Sequence, residues 1–70
     1  MSALRELYPE ERQQDILRLI NQEGRASVTD LSRKYGVSEV TIRGDLQILT
    51  DQGLIMRTHG GAVTVPANAR

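Results

Sequence analysis

Hydrophobic positions recur at helical spacing in the first third of the chain. Ile16 and Ile20 share one face of a segment that opens with Pro9 and two acidic residues and is followed by Gly24. Proline suits the first position of a helix, acids in the first turn complement the helix dipole, and glycine is common just past the last turn. The pattern predicts a first helix over roughly Pro9–Glu23.

A second, shorter helix is predicted before Gly36. Thr29 is a suitable N-cap, and a helix over Asp30–Tyr35 would turn Leu31 and the Tyr35 ring inward. The segment Arg25–Val28 before it is long enough for only a residue or two of strand.

A third helix is predicted from about Glu39 to Gln52, ended by Gly53. Ser38 caps its start, so the capped helix spans about 38–52. Advancing about 100° per residue places three apolar residues within one narrow arc. This predicted buried stripe is Ile42, Leu46 and Leu49. The residues on the opposite side are Val40, Arg43, Gly44 and Gln47.

After Gly53 the hydrophobic period changes from helical to alternating. Strand-like runs at 54–58 and 62–65 flank His59-Gly60-Gly61, which is typical of a β-hairpin. The predicted fold is mainly α (α+β): a winged helix-turn-helix of three helices followed by a two-stranded hairpin wing, 54–65. The domain organisation is an N-terminal extension at 1–8, this domain at 9–65 and a linker at 66–70.

Composition excludes several kinds of chemistry. The chain has 70 residues, no cysteine and a single histidine, so disulfides, thiolate metal sites and most histidine-based triads are absent. A domain of this size has little interior for a catalytic pocket. We therefore expect no enzyme activity, no cofactor and no metal site. No apolar run approaches the length of a membrane span, and we expect a cytoplasmic protein that does not contact a membrane.

Charge is balanced overall but unevenly distributed. Nine basic residues match nine acidic ones. Residues 1–23 contain three basic and five acidic residues, a balance of −2, whereas residues 24–70 contain six basic and four acidic, a balance of +2. The zero net charge gives no global basic field to indicate a nucleic-acid partner, and the asymmetry alone is weak evidence for one.

The second and third helices, joined across Tyr35-Gly36-Val37-Ser38, form a predicted helix-turn-helix. The major groove of B-DNA is about 12 Å wide and admits one helix, whose first turns meet the base edges. The candidate DNA-binding residues of those turns are Ser38, Glu39, Val40, Thr41, Arg43, Gly44 and Gln47.

Five of these seven residues carry side chains that suit particular parts of DNA. The hydroxyls of Ser38 and Thr41 suit phosphate, Arg43 suits guanine and Gln47 suits adenine. Val40 could meet a thymine methyl group, although single exposed valines are common on protein surfaces.

The predicted wing supplies four further candidate DNA-binding residues: Arg57, His59, Gly60 and Gly61. The paired glycines let the backbone come close to another surface, or simply form a tight turn with His59 in solvent. Arg57 either contacts a phosphate or packs back over the sheet in an ion pair with Asp45 or Asp51.

Several of these segments together resemble the N-terminal domain of DeoR-type bacterial repressors over about residues 10–65. The segments that carry the resemblance are Arg12-x-x-x-Ile16-x-x-x-Ile20, Val37-Ser38-Glu39-Val40-Thr41-Ile42-Arg43-x-Asp45-Leu46, Gly53-Leu54-Ile55 and His59-Gly60-Gly61-Ala62. The resemblance implies a winged-helix domain that binds double-stranded DNA in a transcriptional regulator, often one that represses genes of sugar catabolism. It also implies a C-terminal domain, absent from these residues, that binds a phosphorylated sugar and drives homo-oligomerisation. The isolated domain is then expected to be a monomer.

Gly44 departs from the family pattern, which usually has a second basic residue at this position. The change removes a phosphate contact and places glycine inside a helix, at a cost of about 1 kcal/mol relative to alanine. It therefore bears on base readout rather than on the fold.

Three other functions are compatible with parts of the sequence. Zero net charge favours a winged helix that binds protein, although such a surface should carry a larger apolar patch. RNA binding is disfavoured by the lack of stacking aromatics. An enzyme would need convergent titratable groups, and we interpret Glu10 and Glu11 as capping residues and Asp45 and Asp51 as surface charges.

Overall fold

The computed structural model describes residues 8–66, which form three helices and one antiparallel sheet. In chain order the elements are α1 (Pro9–Glu23), β1 (Arg25–Ser27), α2 (Val28–Tyr35), α3 (Glu39–Asp51), β2 (Ile55–Thr58) and β3 (Gly61–Thr64). The predicted winged helix-turn-helix is confirmed. The predicted extension at 1–8 and linker at 66–70 lie outside the described residues, apart from Tyr8 and Pro66.

Helix α1 has the predicted bounds. The Tyr8 N–H at its start donates to Glu11 Oε1 at 3.1 Å, which confirms Glu11 as a capping residue. At the other end Gly24 adopts the left-handed conformation, with φ of 89°, and its N–H donates to the Ile20 carbonyl at 2.7 Å. Glycine adopts this conformation without steric cost, so the helix ends here.

Helix α2 begins earlier than predicted, and Thr29 is not its N-cap. Ser27 caps the helix instead, with its Oγ accepting the Asp30 N–H at 3.0 Å. Ser and Thr are both good caps, but starting the helix at Val28 turns that side chain into the core, where it is 2% exposed. The use of Ser27 as the N-cap therefore goes together with the burial of Val28.

The sheet has three strands, because a further strand joins the predicted two-stranded hairpin wing. The segment before α2 forms β1, which pairs with β3 and gives the order β1-β3-β2. The hairpin strands are also shifted slightly, because Thr58 pairs with Gly61 and leaves His59-Gly60 as the turn. Three residues are too few for β1 to show an alternating pattern in the sequence.

The core lies between the three helices and the inner face of the sheet. The predicted inner stripe of α3 is confirmed, and α1, α2, β2 and β3 each add to it. The buried apolar residues are Ile16, Ile20, Val28, Leu31, Ile42, Leu46, Leu49, Ile55 and Ala62. Burial of each of the larger side chains contributes about 1.5–3 kcal/mol, and this burial holds the helices against one another.

Asp45 is buried on the inner side of α3, so its assignment as a surface charge is wrong. Its residue surface is 3% exposed, and its carboxylate accepts from Arg12 Nε at 2.5 Å and from Arg12 Nη2 at 3.1 Å. Gln13 Nε2 donates to the same carboxylate at 3.0 Å. The hydrogen bond and the charge of Asp45 raise the pKa of Arg12 against the opposing effect of burial. This forked contact holds α3 against α1.

Tyr35 points inward as predicted, although it is only half-buried. Its hydroxyl donates to Asp15 Oδ2 at 2.5 Å and so ties the end of α2 to α1. Burial, together with this bond to a carboxylate, raises the pKa of Tyr35. The phenol therefore stays protonated, and donates to Asp15, throughout the neutral range.

Replacing Asp45 with alanine is expected to lower the free energy of unfolding by about 3–5 kcal/mol, because it leaves the guanidinium of Arg12 unpaired inside the protein. Urea denaturation followed by far-UV circular dichroism measures the change.

Asp51→Ala is the matched control, because Asp51 is an exposed aspartate of the same helix that accepts one hydrogen bond from Gln47. Its cost should stay within about 0.5 kcal/mol. Equal costs for the two substitutions would show that the pair of Arg12 and Asp45 does not hold the helices together.

Candidate nucleic-acid interface

The turn between α2 and α3 sets up the first turn of α3. Gly36 ends α2 in the left-handed conformation, with φ of 66°, and the chain reaches Ser38 two residues later. Ser38 Oγ accepts the Thr41 N–H at 3.1 Å and contacts Thr41 Oγ1 at 3.0 Å. The cap predicted at Ser38 is confirmed, and it fixes both hydroxyls beside the open end of the helix.

The outer face of α3 is exposed over its first three turns. Val40, Arg43, Gly44 and Gln47 all lie on it, as the helical periodicity predicts. Val40 is 74% exposed, so its branched apolar side chain stands in solvent on the face opposite the core. Glu39 and Thr41 are half-buried at its margin.

Two polar side chains of this face are already paired along the helix. Arg43 Nη2 donates to Glu39 Oε1 at 3.1 Å, and Gln47 Nε2 donates to Asp51 Oδ1 at 2.8 Å. Both pairs are exposed to solvent, where such contacts contribute only a few tenths of a kcal/mol. A ligand can therefore recruit Gln47, and the donors of Arg43 that Glu39 does not use, at little cost.

Gly44 leaves a gap in the middle of the outer face. A Cβ atom built on it would meet nothing within 4 Å, so the protein itself does not require glycine here. The backbone of α3 is consequently open to a partner at this point.

The wing turn is attached to the start of α2. The Gly60 carbonyl accepts the Val28 N–H at 2.8 Å, and His59 and Gly60 are both exposed. The next residue of α2, Thr29, donates its hydroxyl to Glu39 Oε2 at 3.1 Å. The first turn of α2 thus contacts the wing on one side and the first turn of α3 on the other, which brings the two predicted parts of the site together.

Gly61 is buried, and the close approach that it permits is to the protein's own β1. A Cβ atom at this position would lie 2.2 Å from the Ala26 carbonyl oxygen. The pairing of β1 with β3 therefore requires glycine at position 61, and Gly61 presents no side-chain surface to a partner.

Arg57 is half-buried, and its Nε donates to the Gly61 carbonyl at 3.2 Å. Arg57 does not form the alternative ion pair with Asp45 or Asp51. Asp45 accepts hydrogen bonds from Arg12 and Gln13, and Asp51 accepts one from Gln47. Arg57 nonetheless packs back on its own hairpin through this one bond, which leaves its other donors available.

Arg25 lies beside the wing, although no sequence pattern predicts it as a site residue. A groove of about 510 Å³ is lined by Arg25 and His59 together with Ser27, Thr58 and Gly60, and Asp30 also lines it. The position of Arg25 depends on β1 pairing with β3, so a signal for that third strand would have been needed to find it.

The described residues hold neither a metal site nor a membrane span. No group of three or more histidine, cysteine or acidic residues comes together within 8–66 to bind a metal. Across the same residues, no helix is both long and apolar enough to cross a bilayer.

Comparison with known proteins identifies similar sequences over most of the chain. The sequence model of a family described as the DeoR-like helix-turn-helix domain matches residues 12–67. An HTH-type transcriptional regulator GlpR of Haloferax volcanii is 45% identical over 64 residues, which are 91% of this chain and 25% of that protein. No solved structure matches the chain.

Two further relatives carry names that refer to operons or sugars. The L-fucose operon activator of Haemophilus influenzae is 49% identical over 53 residues, which are 76% of this chain and 21% of that protein. The lactose phosphotransferase system repressor of Streptococcus mutans is 43% identical over 53 residues, again 76% of this chain and 21% of that protein. The chain thus spans a quarter or less of the length of these three relatives.

Replacing Gly61 with alanine is expected to cost about 3 kcal/mol or more, above most overpacking substitutions, because the new Cβ meets backbone that cannot rotate away. Gly60→Ala is the matched control, because position 60 has open space and only the strain of its φ of 88°. That strain costs about 1–2 kcal/mol. Urea denaturation of the two variants gives both values, and a smaller loss at 61 than at 60 would refute the assigned role of Gly61.

Proposed function

The chain belongs to the family of DeoR-like helix-turn-helix domains, which bind DNA in transcriptional regulators, and from this premise we propose how it reads its site. Helix α3 enters the major groove of double-stranded DNA, and the wing contacts the adjacent backbone or minor groove. The observation that carries this proposal is the exposed outer face of α3, with Val40 and Arg43 in solvent and the first turn of the helix capped by Ser38.

The proposed base contacts come from three side chains of α3. Arg43 donates two hydrogen bonds to guanine, Gln47 pairs with adenine, and Val40 meets a thymine methyl group. The exposed pair of Gln47 with Asp51 is weak enough to exchange for a base edge, and the pair of Arg43 with Glu39 uses only one of the five guanidinium donors. Apolar contact with a thymine methyl also accounts for the exposure of Val40.

The proposed phosphate contacts come from the helix start and the wing. Ser38 and Thr41 offer hydroxyls beside the unpaired N–H groups of α3, a favourable place for an anion. On the wing the groove that holds Arg25 and His59, with Gly60 at its edge, supplies cationic and backbone donors, and Arg57 adds its free guanidinium donors. We leave Gly61 out of the interface because it is buried.

Gly44 lets the DNA backbone come closer to α3 than a basic side chain would. The open space around this position supports such an approach. The phosphate contact that a basic residue would make is lost, and the proposed footprint is correspondingly poor in cations. We expect about three to five phosphate contacts per domain and a shallow dependence of affinity on salt.

We further propose that the full-length protein represses genes of carbohydrate catabolism in the cytoplasm. The names of the fucose and lactose relatives support the link to sugars, and the second of them supports repression. A C-terminal domain would bind a phosphorylated sugar and join the chains into a homo-oligomer. The isolated domain would then be a monomer that binds a single half-site weakly.

Arg43→Ala is expected to cost about 1–3 kcal/mol of binding free energy on a duplex that the wild-type chain selects from a randomised pool, and much less on random DNA. The reason is the loss of a base contact rather than of charge alone. Fluorescence anisotropy with both duplexes measures the change, and Arg18→Ala is the control because it removes an exposed cation from α1. Equal losses on both duplexes would show that Arg43 contacts a phosphate rather than a base. No loss on either duplex would show that α3 does not bind in the major groove.

Arg57→Ala is expected to weaken binding to selected and random duplexes alike and to lower the slope of log affinity against log salt by about one unit. Titrations at several salt concentrations give the slope, and thermal unfolding gives the stability of the variant. A lower melting temperature with unchanged affinity of the folded protein would make Arg57 a purely structural residue.

A further inference from the structure

One carboxylate joins the two helices of the helix-turn-helix on their exposed side. Glu39 uses its two oxygens separately: Oε2 accepts the Thr29 hydroxyl at 3.1 Å, and Oε1 accepts Arg43 Nη2 at 3.1 Å. Thr29 lies in the first turn of α2, whereas Glu39 and Arg43 lie one turn apart on α3. The guanidinium of Arg43 is thus connected to a second helix by two hydrogen bonds in series.

We infer that Thr29 is a positioning residue for base readout: through Glu39 it holds the Arg43 side chain in the orientation from which it contacts guanine. This inference rests on the proposed function of α3. It assigns a role to a residue that touches no base itself and that stands on the other helix of the motif.

The capping arrangement of α2 is what makes the Thr29 hydroxyl available. Ser27 satisfies the Asp30 N–H at the start of the helix, so Thr29 does not serve as the cap. Had Thr29 capped the helix, its oxygen would have been turned toward the backbone of its own helix. As the second residue of α2, it faces Glu39 instead.

The pairing leaves Arg43 enough donors for a base. A guanidinium carries five N–H donors, and Glu39 takes one of them on Nη2. The remaining donors can still form a two-bond contact with guanine O6 and N7. A long side chain that is already restrained loses less freedom when it binds, which favours the contact it is aimed at.

The charge of Glu39 argues for an indirect role. An unpaired carboxylate next to DNA repels the phosphates, and here the Thr29 hydroxyl and the Arg43 guanidinium each donate a hydrogen bond to one of its two oxygens. A substitution at Glu39 would change both the charge and the positioning. A substitution at Thr29 changes the positioning alone, which makes it the more informative test.

The test compares Thr29→Val with Thr29→Ser, which retains the hydroxyl. Valine matches threonine in shape and in helix propensity, and position 29 is exposed, so both variants should fold like the wild type. Affinity is measured for a duplex selected by the wild-type chain, for versions with each guanine replaced in turn, and for random DNA of equal length. Thr29→Val should lower the preference for one guanine by about two- to tenfold and leave random-DNA affinity unchanged, while Thr29→Ser should keep most of the preference.

The same substitution is then made in the Arg43→Ala background, where it should have no further effect on the preference. An unchanged preference in Thr29→Val, or a loss of equal size in both backgrounds, would overturn the inference. Loss of the proposed function would look different: Arg43→Ala alone would then have no effect on either duplex, whatever Thr29 does.

A measurement without DNA tests whether Thr29 restrains Arg43 even if Arg43→Ala has no effect on DNA binding. ¹⁵N relaxation at Arg43 Nε reports the mobility of the side chain in the free protein. Thr29→Val should lower its order parameter and Thr29→Ser should not. Equal order parameters in the wild type and Thr29→Val would show that Thr29 does not restrain Arg43.

Discussion

The orientation of α3 depends on one buried ion pair. Arg12 and Asp45 meet across the contact between α1 and α3, where little water remains to solvate either charge. Removing charges from water is costly, so the fold tolerates this pair only because the contact is forked and Gln13 adds a third bond. Burial of apolar surface is non-directional, whereas these hydrogen bonds are directional and favour the orientation that turns Arg43 outward.

The sequence predicted the long elements well and the short ones poorly. The bounds of α1 and the buried stripe of α3 follow from periodic patterns many residues long. At the start of α2, however, two capping residues stand two positions apart, and only the burial of Val28 decides between them. Strand β1 has three residues, and its pairing with β3 depends on contacts distant in sequence. Local patterns do not encode such contacts.

In the candidate site, too, local patterns predicted some features, and the others depend on contacts between residues distant in sequence. The helical period was enough to place Val40, Arg43 and Gln47 in solvent, but it could not show which neighbours hold them. Asp45 was missed because aspartate is usually exposed and its partner lies 33 residues away. Its position beside Leu49 on the buried arc of α3 was the available signal. The role of Gly61 could not be predicted either, because it exists only once β1 is in place.

The two sides of α3 draw on separate sets of residues. The inner side supplies Asp45 and the apolar stripe to the core, and the outer side supplies residues that the core never touches. Mutations in such separate sets change stability nearly independently. Descendants of this domain can therefore acquire new operators by drift and selection on the outer side without first gaining stability elsewhere. The same separation makes the outer side a suitable place for randomised libraries.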